Sequence, residues 1–104
     1  MKNVILVCNA GMSSSLMAKK TTSYLNDNGH DIHIDATTSV DKKRIFEKDK
    51  YELILVSPQI RMLFDEFSKK AKENDMKIVQ VNFDAYAPIP SGIEKMAKLV
   101  LDNL

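Results

Sequence analysis

The sequence predicts an α/β domain in which a parallel sheet is covered by helices on both faces. Three observations carry that prediction. Four short aliphatic runs, NVILV, DIHIDA, ELILV and KIVQV, are separated by stretches with the apolar spacing of helices. The first and third runs are apolar almost throughout, as strands buried on both faces must be, whereas DIHIDA alternates as an edge strand does. Strand–helix–strand repeats cross over right-handedly, and that connection lays successive strands parallel. A chain of 104 residues buries one core, so residues 1–104 are expected to form one domain.

Taken in order, the first strand is expected over residues 3–7. The first helix follows the turn after Cys8, covers residues 13–28 and stops at Gly29. DIHIDA supplies the second strand, residues 31–36, and Ser39 is a cap candidate for a second helix from Val40 to about residue 48. ELILV is the third strand, residues 52–56. Ser57-Pro58 reads as a cap followed by proline at the first helical position, opening a helix to about Asn74. Within it Ile60, Leu63, Phe64, Phe67 and Ala71 make one stripe that packs on the core. KIVQV is the fourth strand, residues 77–81. A loop over residues 82–91, stiffened by Pro88 and Pro90, leads to SGIE at 91–94, read as a capping box for a last helix through Leu101. The six methionines read as packing or surface residues, because no ligand spacing repeats among them.

Composition narrows the function. Fifteen basic and fourteen acidic residues leave a net charge of +1, which provides no bulk attraction for nucleic acid. No apolar run approaches the roughly 18 residues of a membrane span, and residues 4–8 are too short for a signal-peptide core, so a cytoplasmic location is expected. A single cysteine makes no internal disulfide, and with two distant histidines it makes no convincing zinc site. No metal or cofactor is expected. His30, His33 and the basic runs 42–44 and 69–70 read as solvated residues.

One stretch points to chemistry: CNAGMSSS, residues 8–15. Cys8 falls at the C-terminal edge of the first strand, where open α/β sheets carry their sites. Gly11 can take the positive φ that a sharp turn into a helix needs. Backbone N–H groups of residues 9–15, if turned inward, form a nest for a tetrahedral oxyanion, and Ser13, Ser14 and Ser15 add hydroxyl donors. A helix terminus beside a thiol favours the nucleophilic thiolate. From Met1 to Asn26 there is no Asp or Glu, and the charged side chains are Lys2, Lys19 and Lys20. A bound anion can supply the negative charge that a first helical turn prefers. A thiolate in such a cradle accepts a phosphoryl group in line while the nest holds its equatorial oxygens. Low-molecular-weight tyrosine phosphatases share this plan but place an arginine six residues after the cysteine, where this chain has Ser14. Without that clamp, a phosphocysteine that waits for a second acceptor is favoured over one hydrolysed in place.

CNAGMSSSL after an aliphatic strand, LILVSPQI further on and a proline-containing closing loop resemble the IIB component of the lactose/cellobiose family of bacterial sugar phosphotransferase systems, over nearly the whole chain. The familiar loop is close to CSAGMSTS, and Asn9 and Ser14 keep small polar groups where it has Ser and Thr. The resemblance implies a parallel sheet in the order 2-1-3-4 within a flavodoxin-like three-layer sandwich. It implies that Cys8 takes a phosphoryl group from a phosphohistidine of a IIA partner and that Asn9, Ala10, Gly11, Met12, Ser13, Ser14 and Ser15 hold it. The group then passes to a sugar of the cellobiose, lactose or chitobiose kind in the membrane-embedded IIC partner, with which the chain associates peripherally. Strand order reverses between the first and third strands, so Cys8 and SPQI face one crevice. Ser57 and Gln59 are therefore second-tier site candidates, with Tyr86 of the last loop a weaker third. A monomer and transient, small interfaces are expected. Two rivals stand beside this reading: a cysteine phosphatase or arsenate-reductase-like enzyme, and a non-enzymatic anion- or flavin-binding module for which Tyr86 is the only obvious aromatic cover.

Overall fold

The computed structural model describes residues 1–9, 12–47 and 49–104. Among them four parallel strands, β1 (Lys2–Cys8), β2 (Ile32–Thr38), β3 (Leu53–Val56) and β4 (Lys77–Gln80), form a sheet in the order β2-β1-β3-β4. Helices α1 (Met12–Asp27), α2 (Lys42–Ile45), α3 (Phe64–Glu73) and α4 (Pro90–Asn103) lie around it. Register pairs Cys8 with Thr38, Val7 with Val56 and Val56 with Gln80, so the strands finish together at one edge.

Strand alternation divides the buried side chains between two cores. Val4, Leu6, Leu53 and Leu55 point to one face and pack with Met17 and Leu25 of α1 and Met96 and Val100 of α4. Ile5, Val7, Ile54 and Val56 point to the other and meet Ile45, Phe46, Ile60, Phe67 and Ala71. Both faces of the central strands are thus occupied, which is why NVILV and ELILV carry no alternation. At the edge, only Ile32 and Ile34 of β2 are buried.

Several bounds differ from the sequence reading, each for a local reason. Pairing with β2 continues to Cys8↔Thr38, so the cysteine ends β1 rather than following it, and β2 runs past Ala36. Helix α2 is a single turn, because Phe46 leaves helical geometry (φ −102°, ψ 20°) and Asp49 takes φ +61°. Ser39 does not cap it; Asp41 holds the N-cap position without a cap bond and instead accepts from Thr37 Oγ1 at 3.0 Å. The helix expected after Ser57 is a 3-10 turn, Pro58–Leu63, followed by α3, with the break at Ile60 (φ −119°, ψ 25°), which is buried in the second core. Its apolar stripe holds: Ile60, Phe67 and Ala71 are buried, and Leu63 and Phe64 pack against them. SGIE is not a capping box. Proline at the first helical position presets φ, so α4 opens at Pro90 behind Ile89, and Ser91 falls inside its first turn.

Gly92, one turn into α4, is required by close approach: a Cβ there would run into the carbonyl of Ala87. Gly92→Ala is expected to cost about 2–3 kcal/mol by pushing α4 off the preceding loop. A urea midpoint equal to that of the natural protein would show that the loop yields freely.

His33 and the basic run 42–44 are not simply solvated. Asp35 Oδ2 accepts from Tyr51 Oη (2.8 Å), its Oδ1 shares a hydrogen bond with His33 Nε2 (2.7 Å), and Arg44 lies 3.6 Å away. Lys42 reaches Glu66 at 3.0 Å. Burial pushes the Asp35 carboxyl up, but the hydrogen bonds from Tyr51 and His33 and the charges of His33 and Arg44 outweigh it and hold the group below its ordinary value. The stabilisation is therefore present above the unfolded-state value and is lost as pH falls through the lower folded one. Asp35→Asn is expected to flatten the acid limb of stability against pH between about pH 2 and 5, measured by urea unfolding. An unchanged slope would mean that the cluster contributes nothing.

Candidate functional site

The site lies where the sheet order reverses. β1 sits between β2 and β3, and the chain leaves β1 toward the α1 face and β3 toward the α3 face, the switch point at whose C-terminal strand ends open α/β sheets carry their ligands. Cys8, the last residue of β1, is only 4% exposed, and its Sγ donates to Ser14 Oγ at 2.8 Å. Ser14 is buried as well, near the start of α1, whose first turn has no acidic side chain. No acid of the helix's own first turn therefore opposes the positive end of its dipole. Neighbouring connections hold the strand end in place: Ser39 N–H donates to the Cys8 carbonyl (2.9 Å) and Ser57 N–H to the Val7 carbonyl (3.0 Å).

The other candidates from the sequence fall in different settings. Asn9 and Ser15 are exposed, while Ala10 and Gly11, and the side chains of Met12 and Ser13, lie outside the described residues. Ser57 is fully buried next to the end of β1. Gln59 is exposed on the 3-10 turn. Tyr86, at 8% exposure, belongs to the first core with Val81, Ala85 and Met96. A ring packed in that way is not an open stacking surface, so it does not supply the aromatic cover that a flavin site needs.

Sequence reading missed Gln80. Its Nε2 donates to the carbonyls of Val56 (3.0 Å), Ser57 (3.3 Å) and Val81 (2.8 Å), tying the ends of β3 and β4 together. The available signal was a polar residue inside the otherwise apolar IVQV. It also missed the Asp35 cluster, whose signal was His33 and Asp35 two apart on an edge strand and therefore on one face.

A thiol beside a helix N-terminus and a serine hydroxyl is an arrangement that can receive a tetrahedral anion, since such a group brings negative oxygens to which N–H and O–H groups can donate. Around this edge the connections carry exposed apolar side chains: Leu16 on α1, Val40 after β2, Met62 after β3, and Phe83 and Ile89 after β4. Among the described residues, no group of three or more His, Cys, Asp or Glu is placed to hold a metal ion, and no helix is long and apolar enough to cross a membrane.

Comparison with known proteins bears on this geometry. Residues 3–98 match the family described as the lactose/cellobiose-specific IIB subunit of the PTS system. The chain is 29% identical over 86 residues to the oligo-beta-mannoside-specific EIIB component of Bacillus subtilis (strain 168), covering 83% of this chain and 82% of that one. It is 34% identical over 74 residues to the cellobiose-specific EIIB component of Lactococcus lactis subsp. lactis (strain IL1403), covering 68% of each. In fold it is similar to the lactose-specific IIB component domain from Streptococcus pneumoniae, with a TM-score of 0.83 at 20% identity over 98% of this chain and 96% of that one. The cellobiose-specific IIB component from Borrelia burgdorferi gives 0.73 at 24% identity, over 98% and 90%.

Proposed function

Because the chain belongs to the lactose/cellobiose-specific IIB family of the sugar phosphotransferase system, we propose that it is a phosphoryl carrier whose Cys8 is loaded by a IIA partner and unloaded to a sugar in the IIC permease. The observation that carries the reading is the Cys8–Ser14 hydrogen bond at the junction of β1 with a helix that has no acid in its first turn. In the first step the sulfur attacks the phosphorus of a phosphohistidine. The S–P bond forms as the P–N bond breaks, and the imidazole leaves with the electron pair while the thiol proton ends on its nitrogen. In the second step a sugar hydroxyl attacks, the O–P bond forms, the S–P bond breaks and the sulfur departs with the electron pair, the hydroxyl proton returning it to the thiol. Residues 9–15 hold the phosphoryl oxygens through backbone N–H groups and the hydroxyls of Ser13, Ser14 and Ser15.

Ser14 stands where a phosphatase of similar plan has its arginine, so the adduct persists until an acceptor arrives. The apolar side chains around the edge support transient docking of the two partner proteins in turn. The protein acts as a cytoplasmic monomer, peripherally bound to IIC, and the sugar is a β-linked saccharide such as cellobiose, lactose or chitobiose; relatives are named for oligo-beta-mannoside, cellobiose and galactose. Intact-protein mass after incubation with phosphoenolpyruvate, the general phosphotransferase proteins and candidate IIA partners tests this. A single phosphoryl adduct is expected. No adduct with any IIA, together with Cys8-dependent hydrolysis of an aryl phosphate, would overturn the reading in favour of a phosphatase.

A further inference from the structure

At the edge of the sheet beside Cys8 the fold buries polar groups that it does not satisfy. Ser57 is 0% exposed and its Oγ has no hydrogen-bond partner. Such a hydroxyl has given up water without replacement, an exception in folded proteins, and alanine would serve packing better. Its position is set by register. Val7 pairs with Val56, so Cys8 and Ser57 are the next neighbours across β1 and β3, and the bond from Ser57 N–H to the Val7 carbonyl continues the ladder. Side chains alternate along both strands: Leu6 and Leu55 face α1 and α4, Val7 and Val56 face the other core, and alternation returns Cys8 and Ser57 to the α1 side.

Gln80 holds the backbone that presents this hydroxyl. Its Nε2 donates to the carbonyls on either side of the Val56–Ser57 junction, Val56 and Ser57 themselves, and to Val81. With the amide reversed, its oxygen would face these three carbonyl oxygens, so the orientation is determined even though Oε1 is buried without a partner.

We propose that Ser57 Oγ donates a hydrogen bond to the group carried on Cys8, the sulfur or a phosphoryl oxygen, and that Gln80 is the positioning residue that holds Ser57 to do so. The assignment rests on the carrier reading above and adds two residues to it. In the resting protein the thiol is a donor, satisfied by Ser14. Once the thiol proton is lost the sulfur only accepts, and an attached phosphoryl group adds three acceptor oxygens, so a donor left idle at rest acquires its partner in the loaded state.

Two measurements on Ser57→Ala test this: thermal unfolding, and the equilibrium ratio of phosphorylated to free protein against a phosphorylated IIA, read by intact mass. Removing an unsatisfied buried hydroxyl is expected to raise Tm by about 4 °C. Removing a donor to a charged group is expected to lower the phosphorylation ratio about tenfold. A purely structural serine predicts the reverse, a lower Tm with an unchanged ratio, and that result overturns the proposal. Gln80→Leu is expected to lower the ratio about threefold in the natural background and not at all on top of Ser57→Ala, because it acts through Ser57. Additive losses would remove Gln80 from the assignment. If the natural protein takes no phosphoryl group the carrier reading fails and the proposal with it; if it does and Ser57→Ala loads equally, the proposal alone fails.

Discussion

Cys8→Ser is expected to accept phosphoryl groups at least about 10³-fold more slowly than the natural protein, with the fold retained. The chain has one cysteine, so no second thiol can substitute. A serine hydroxyl needs a base to become a nucleophile near neutral pH, and the partner of Cys8 is another hydroxyl, Ser14, rather than an imidazole or carboxylate. His33 is engaged with Asp35 on β2, away from that role. An O–H at position 8 can still donate to Ser14, so the stability change should stay within about 1 kcal/mol. Time courses of the intact-mass adduct, with urea unfolding alongside, read both quantities. An adduct that persists at full rate in the variant would move the phosphoryl group to another residue, with the two histidines next to be replaced.

The largest stability effect is expected at Phe67, far from any chemistry. Phe67 is 1% exposed in the second core, edge-on to Phe46 with ring centroids 5.6 Å apart and an interplanar angle of 72°. Truncation to alanine removes the ring contact and leaves a cavity under α3, an expected loss of about 3–5 kcal/mol. Against a typical total of about 5–15 kcal/mol, that lowers Tm by about 15 °C or more. The same core holds Ile60 of the 3-10 turn that follows Ser57, so the packing that stabilises α3 also anchors the segment leaving the end of β3. A loss below about 1.5 kcal/mol would show that α3 closes over the gap, and that its packing is looser than a full core.

Legibility in the sequence followed the strength of the local signal. β1 and β3 were readable because continuous apolar runs have few other uses in a chain this size, and the stripe of Ile60, Phe67 and Ala71 marked its buried face despite the break at Ile60. The shortness of α2 was not readable: its end is set by Phe46 turning into the second core, a tertiary demand that no propensity encodes. Ser91 followed by Glu94 has the form of a capping box, yet proline one residue earlier started the helix first. At the site, Cys8 and the serines after it were picked out by residue type and by the break from strand to helix. That Tyr86 packs into the first core was not readable, because an aromatic in a loop gives no sign of which way its ring faces.

The sequence by itself determined which elements form and where the one thiol falls among them, because apolar periodicity and turn residues act over a few neighbours and a lone cysteine needs no partner to be seen. The tertiary structure alone decided which polar groups meet. Ser14 bonds Cys8, Asp35 gathers Tyr51, His33 and Arg44, and Ser57 is sealed beside the end of β1 with its carbonyl held by Gln80. Apart from His33 and Asp35, which share β2, those relations join residues on different segments, so they follow from how the elements assemble, and for Ser57 and Gln80 from strand order and register. Register is a property of the assembled sheet: the hydroxyl of Ser57 is an ordinary helix-start serine in the sequence and becomes an unsatisfied buried donor only when β3 is laid against β1.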